Sequence, residues 1–436
     1  MSPAPVAPVA PRSELTLPSF PRVEVHGMLQ NLFLYRNDTD FDRTPPAYNA
    51  NGQSEGALAT VFRPQLTFHV TPHLRLYYEA EIGLAFWGEN DPNEQSPSAP
   101  DYFILRNREL YTEGDVLGGR VGFKVGYQYF HDSTSLFLGH WIGAAQTWYS
   151  WRPDARIGLF IGEVPDLTED GMNVNQINFN RDIFVFGPKT EIRLADGVDF
   201  AAGGHTLYDA SVVGRTRWLV APNAQIAWQG RQVGGSLGAV LQAGESENSG
   251  LGGINQTILA WAAQGHADVA LHRLGLAFNA MALSPDDSSA GNSYSGAFLY
   301  SSRSSSATIM LTEDELRNWY DQLDRTMATY GGGFWQHRAG LFVGDVKATW
   351  FLADIFRPAV IVGAASVLNP SNALGHSFVG LETDLNLEFR ASDNLVLNLV
   401  GGGLFPGGAG AALVNKINLS ATDPIYMLEA CLMARF

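Results

Sequence analysis

The stretch Val61–Phe86, VFRPQLTFHV-TPH-LRLYYEAEIGLAF, decides the fold. Phe62, Pro64, Leu66, Phe68 and Val70 share one face of an extended chain; Arg63, Gln65, Thr67 and His69 share the other. After Thr71-Pro72-His73 the alternation resumes. Leu74, Leu76, Tyr78, Ala80, Ile82, Leu84 and Phe86 lie on one side, and Arg75, Glu79 and Glu81 on the other. A period of two is the signature of a strand. Soluble strands usually run to about five or six residues, whereas these runs of about ten to fourteen have the length needed to cross a bilayer at a tilt.

The same alternation recurs to the end of the 436-residue chain, and composition agrees with it. Glycine (46) and aromatic residues (11%) are abundant and charged residues (17%) are few, as in a large all-β protein. No apolar run reaches the roughly 18 residues of a spanning helix. The net charge of −16 argues against a nucleic-acid partner. The single cysteine, Cys431, excludes an internal disulfide framework and reads as a small packing residue in a strand. Residues 1–21, rich in Pro and Ala, read as a flexible leader, and residues 22–436 as one barrel domain. The opening Met1-Ser2-Pro3 has neither a charged n-region nor an apolar h-region, so a signal peptide is expected to have been removed or replaced.

Connection lengths alternate. Tight turns fall at 71–73, 116–119, 153–154, 195–197, 229–230, 272–273, 352–354 and 391–394. Longer, mostly polar loops fall near 36–57, 88–101, 131–143, 164–181, 209–213, 244–254, 285–333, 369–374 and 405–423. Eight turns and nine loops join eighteen strands and leave both termini on the short-turn side. An even count with short inner turns and long outer loops is the pattern of bacterial outer-membrane barrels. In the last strand Tyr426, Leu428, Ala430, Leu432, Ala434 and the terminal Phe436 share a face. An apolar face that ends on a C-terminal aromatic resembles the signal read by the barrel-assembly machinery, with Tyr426 and Phe436 as its candidate residues.

A sheet can span hydrocarbon only by closing on itself, because every backbone group must be paired. The expected fold is therefore all-β: a transmembrane, antiparallel, up-and-down barrel of about 18 strands in a bacterial outer membrane, facing lipid and lipopolysaccharide. Tyr35, Phe86, Trp87, Tyr129, Trp148, Trp151, Trp218, Trp228, Trp350 and Tyr426 are candidates for its interfacial girdles. With the apolar face outward, the lumen is lined by Arg63, Arg75, Glu79, Glu81, Lys124, Arg156, Lys189, Arg193, Arg215, Arg217, Glu382, Asp384 and Glu388. Bases gather in the first ten strands and acids at 382–388, either setting a transverse field for a solute or pairing to stiffen the wall. In strand 102–115 Arg106 and Arg108 oppose Asn107, Glu109 and Glu113, so both faces are charged and either a bulge or a protein-covered patch is expected.

Loop 285–333 holds the one helix expected from sequence, at 312–329. Thr312 serves as N-cap, and Leu316, Trp319, Tyr320 and Leu323 form a stripe that gates the pore, packs on its rim or meets a partner. Acidic clusters at 36–42 and 166–170 suit Ca²⁺ as well as plain solvation; no other cofactor is expected.

Arg106-Asn107-Arg108-Glu109-Leu110-Tyr111 followed by Gly119-Arg120-Val121-Gly122-Phe123-Lys124-Val125-Gly126-Tyr127-Gln128 resembles a strand–turn–strand of the alginate-export family of outer-membrane porins. That resemblance implies passive export of an anionic polysaccharide past basic lumen residues. The acids at 382–388 depart from it. Two other classes stand beside a channel: a structural barrel subunit of an export complex, and an outer-membrane enzyme. The ten histidines are scattered and neither HExxH nor GxSxG occurs, so no catalytic residue is assigned.

Overall fold

The computed structural model describes residues 20–37, 55–84, 103–164, 183–210, 215–248, 255–286, 294–300, 308, 310–311, 335–336, 338–413 and 420–436. Eighteen long strands form one antiparallel sheet. They are β1 (Arg22–Arg36), β2 (Glu55–Thr71), β3 (Leu74–Leu84), β4 (Phe103–Val116), β5 (Val121–His131) and β6 (Gly139–Arg152). Next come β7 (Ala155–Val164), β8 (Ile183–Ala195), β9 (Val198–Asp209), β10 (Arg215–Gln229), β11 (Val233–Asn248) and β12 (Gln256–Leu271). The last six are β13 (Leu274–Leu283), β14 (Leu341–Trp350), β15 (Phe356–Ser366), β16 (Phe378–Ser392), β17 (Leu395–Pro406) and β18 (Ile425–Arg435).

Each strand pairs with its chain neighbours, and β1 closes the circle on β18 from Met28↔Arg435 to Arg36↔Met427. The seam is completed by Gly27 and Phe436, which exchange backbone hydrogen bonds of 3.0 and 3.1 Å. The Phe436 ring lies over Gly27, where a Cβ would collide with it, and stacks on Phe62 at 5.9 Å. All eight short turns appear where the alternation breaks, and the long connections leave the opposite rim.

The outward face carries an exposed apolar band that includes Val25, Leu66, Val125, Leu159, Leu241, Leu259 and Leu428. A band of this size in water would be an aggregation surface; in hydrocarbon it is favourable. Tyr35, Tyr129, Trp151, Trp218, Trp350 and Tyr426 are exposed with it, while Phe86 and Trp87 lie outside the described residues. Trp148 departs from the girdle expectation. Its neighbour Tyr149 takes the outward position, so strand alternation turns Trp148 into the lumen, where it covers Gly122 below the Arg156 guanidinium at 5.9 Å. Cys431 is buried and receives a hydrogen bond from Gln30 at 3.3 Å.

Of the two readings of the doubly charged strand, the bulge is the one present. Glu79 pairs with Glu109 but Ala80 pairs with Asn107, which leaves Arg108 as the extra residue. The expected helix at 312–329 lies outside the described residues; among those described, the single α-helix is Gly408–Leu413, buried in the β17–β18 loop.

Candidate functional site: the lumen

Toward the short-turn rim the inner wall is polar, and its charges pair between adjacent strands. Arg75 and Glu113 are register partners on β3 and β4, 2.8 Å apart. Arg156 donates to Glu191 at 2.6 Å, its register partner on β8, and Lys189 reaches the same carboxylate at 3.3 Å. Arg193 meets Asp199 at 3.2 Å, while Glu388 takes Arg357 at 3.6 Å and Arg390 at 2.7 Å. Such half-exposed pairs are worth about 0.2–1 kcal/mol each; they fix side-chain positions more than they stabilise the wall. Lys124 lies 3.7 Å above the Tyr111 ring, which stacks on Tyr77 at 5.0 Å. Tyr77 and Gln65 both donate to Glu79, at 2.8 and 2.9 Å.

Glu81 is shared. Arg63 binds it at 2.8 Å and Arg108 at 2.6 Å, so two guanidiniums meet one carboxylate. Beside them an alcove of about 470 Å³ is lined by His26, Met28, Arg63, Gln65, Glu79, Asn394 and Arg435. Asn394 lies in the β16–β17 turn, so the alcove reaches the short-turn rim.

The long-loop half of the lumen is different. Inward positions there are apolar and buried: Ile142, Phe160, Val185, Leu207, Leu219, Val240, Ile258, Leu283, Val343, Val379 and Ile425. They pack against loop segments folded into the barrel, chiefly Leu136–Leu138, Phe298–Tyr300, Met310-Leu311 and the helix Gly408–Leu413. The expectation of polar outer loops is therefore corrected for the β5–β6 and β17–β18 connections, while the described segments of the β13–β14 connection fold inward, one of the placements its sequence allows. These loops carry Leu, Phe, Met and Ala that water would not solvate.

Polar side chains of the wall tether the loops. Gln242 donates to Leu299 O at 2.6 Å and accepts from Leu299 N at 3.0 Å. Glu382 accepts from Met310 N and Leu311 N at 2.8 and 2.6 Å. Asn223 on β10 accepts from Ser133 N at 3.2 Å, and Gln264 on β12 donates to Thr134 O, so the β5–β6 loop reaches far around the wall. Asp132 at its start is buried, which raises its carboxyl to about 6 against the opposing hydrogen bond from Thr134.

Glu382 and Asp384 thus face inward as alternation requires, but they are buried beneath loop segments rather than lining an open bore. Arg217 is likewise buried; the side chain of Arg215, with Leu316, Trp319, Tyr320 and Leu323, lies outside the description. The acidic loop clusters at 38–42 and 166–170 also lie outside it. Among the described residues no three His, Cys, Asp or Glu side chains converge as on a metal ion.

No protein-family description and no curated protein matches the sequence. Solved structures do match. OccK9 (OpdG) of Pseudomonas aeruginosa superimposes with a TM-score of 0.61 at 11% identity, covering 95% of this chain and 98% of that one. The fold is that of the Occ and Opd porins. OccAB2 of Acinetobacter baumannii (TM-score 0.58, 10% identity) and OpdK of P. aeruginosa, solved with vanillate (0.56, 11%), each cover the same 95% and 98%. These neighbours are Occ and Opd barrels, not members of the alginate-export family.

Proposed function

We propose that the protein is a porin of a bacterial outer membrane, passing small polar solutes rather than a polymer. One observation carries this: loop segments cross the long-loop half of the lumen and are tethered to β10, β11, β12 and β16. A polysaccharide needs a continuous bore as wide as its chain, and the inward loops leave little room for one. Small solutes need only a narrow gap, and the ion-paired short-turn half offers them fixed charges and hydrogen-bonding partners. The apolar belt and the Phe436 closure support the membrane assignment, and the similarity to channels, not enzymes, supports transport without chemistry.

Liposome swelling tests the size limit. Sugars and amino acids of monomer size are expected to enter, as is a small aromatic carboxylate such as the vanillate found with OpdK. Uronate oligomers are expected to be excluded, and their entry would restore the polymer-export reading. The apolar packing of the outer half favours a second reading, a closed scaffold within an export complex. Such a scaffold passes no current in a planar bilayer.

A further inference from the structure

The wall is not evenly knitted. β4 pairs with β5 from Val116↔Val121 only as far as Leu110↔Tyr127. Yet β4 goes on pairing with β3 to Phe103↔Leu84, and β5 goes on pairing with β6 to His131↔Gly139. Residues 128–131 of β5 therefore run beside β4 without a ladder, over about 13 Å at 3.3 Å per residue. An open edge in lipid costs several kcal/mol for each unsatisfied group, and here side chains fill it. The Tyr129 N–H, aimed at β4, donates to the Glu109 carboxylate at 2.8 Å instead of to a backbone carbonyl.

Arg108, the bulged residue, sits within the thickness of the wall. Its guanidinium bonds Glu81 at 2.6–2.9 Å and lies 4.7 Å from the Trp141 ring centre. Glu81 is a lumen residue bound to Arg63, whereas Trp141 takes the outward position of β6 and packs edge-on to the exposed Tyr129 at 4.9 Å. One cation thus touches an inner acid and an outer indole. Inward from it, two guanidiniums share one carboxylate, and Arg63 borders the alcove that leads to the short-turn rim. Away from this seam, the axial route is crowded by apolar loop segments.

We propose that the β4–β5 seam is a lateral portal through which an amphiphilic anion passes between the outer leaflet and the lumen. Its apolar tail slides against Trp141 and Tyr129 while its head moves from Arg108 to Arg63. The proposal rests on the channel reading only in needing a lumen open at the short-turn rim.

The full chain in vesicles is tested with two probes, chloride conductance and release of decanesulfonate, whose fixed charge crosses bare lipid slowly. Asn107→Cys with Tyr129→Cys places thiols on the outward faces flanking the seam, and a short bismaleimide bridges them. The native protein is expected to release decanesulfonate about tenfold faster than protein-free vesicles. The double-cysteine variant is compared with itself before and after bridging, so that loss of the Tyr129 ring is common to both arms. On bridging it is expected to lose its gain over bare vesicles while chloride conductance stays within about twofold. Arg108→Gln, unbridged, is expected to slow decanesulfonate by about fivefold through loss of the head-group contact. Release unchanged by the bridge, or a bridge that lowers both probes equally, overturns the portal. Native protein that passes no chloride but releases decanesulfonate overturns the porin reading and leaves the portal standing.

Discussion

The Glu382 carboxylate on β16 holds the Leu311 backbone N–H at 2.6 Å, with Met310 N–H on its other oxygen, so one buried acid pins a segment of a loop that springs from β13. Hydrogen bonds to a charged acceptor are worth about 1.5–3 kcal/mol each, and losing the acceptor leaves two buried donors unsatisfied. Glu382→Ala is therefore expected to free this segment, raising single-channel conductance and its noise at an unchanged far-ultraviolet spectrum. Single-channel recording beside circular dichroism checks it.

Gln242 makes the matching contact on β11, with both amide atoms on Leu299. Two neutral bonds contribute about 1–3 kcal/mol together. Gln242→Ala is expected to speed protease cleavage within the β13–β14 loop by about tenfold, one decade per 1.4 kcal/mol of local opening. Timed digestion of reconstituted protein reads this, and Glu382→Ala with Gln242→Ala together should cut faster than either alone.

Asp132 gives the β5–β6 loop a pH dependence. Its folded value of about 6 lies above the ordinary 3.8. The inward fold therefore binds the proton more tightly than the released loop does. It is firmest below about pH 4 and weakens as pH rises through the window from about 4 to 6, by on the order of 3 kcal/mol. Channel fluctuations are expected to increase from pH 4.5 to 7, and Asp132→Asn to flatten that trend.

Gly126 sits opposite Tyr111 just below the place where β4 and β5 part, at φ +134°. A Cβ there would collide with the Leu110 carbonyl and lie 2.7 Å from the Tyr111 Cα. Gly126→Ala is expected to cost about 3 kcal/mol from backbone strain and overpacking. It should lower the temperature at which the barrel loses its heat-modifiable gel mobility.

Phe436→Ala removes the ring that covers Gly27 and stacks on Phe62. The yield of assembled barrel in cells is expected to fall severalfold, whereas protein refolded in detergent should still close through the Gly27 backbone pair.

Much of this architecture is legible in sequence because two-residue periodicity reports which face a side chain takes. Val61–Leu84, the turn Asp196-Gly197 and the double-sided charge at Arg108 each have a direct structural counterpart. Alternation does not say whether an inward face meets water or a folded-in loop. The signal for the latter was present: Leu219-Val220-Ala221, Ile258–Ala262 and Leu341-Phe342-Val343 are apolar on both faces, the mark of a strand covered on both sides. Ser135-Leu136-Phe137-Leu138 is likewise too apolar for an exposed loop. The partners of Glu382 and Gln242 were not legible, since contacts across some 60–70 positions leave no local pattern.

The apolar cluster beneath the outer rim is in effect a small water-soluble protein's interior housed inside a membrane wall. The two are held by different forces, close packing in one and a lipid-shielded ladder in the other. A chaotrope should dissolve the first well before the second, so moderate urea would turn a narrow, selective passage into a wide, indifferent one while the cylinder stands.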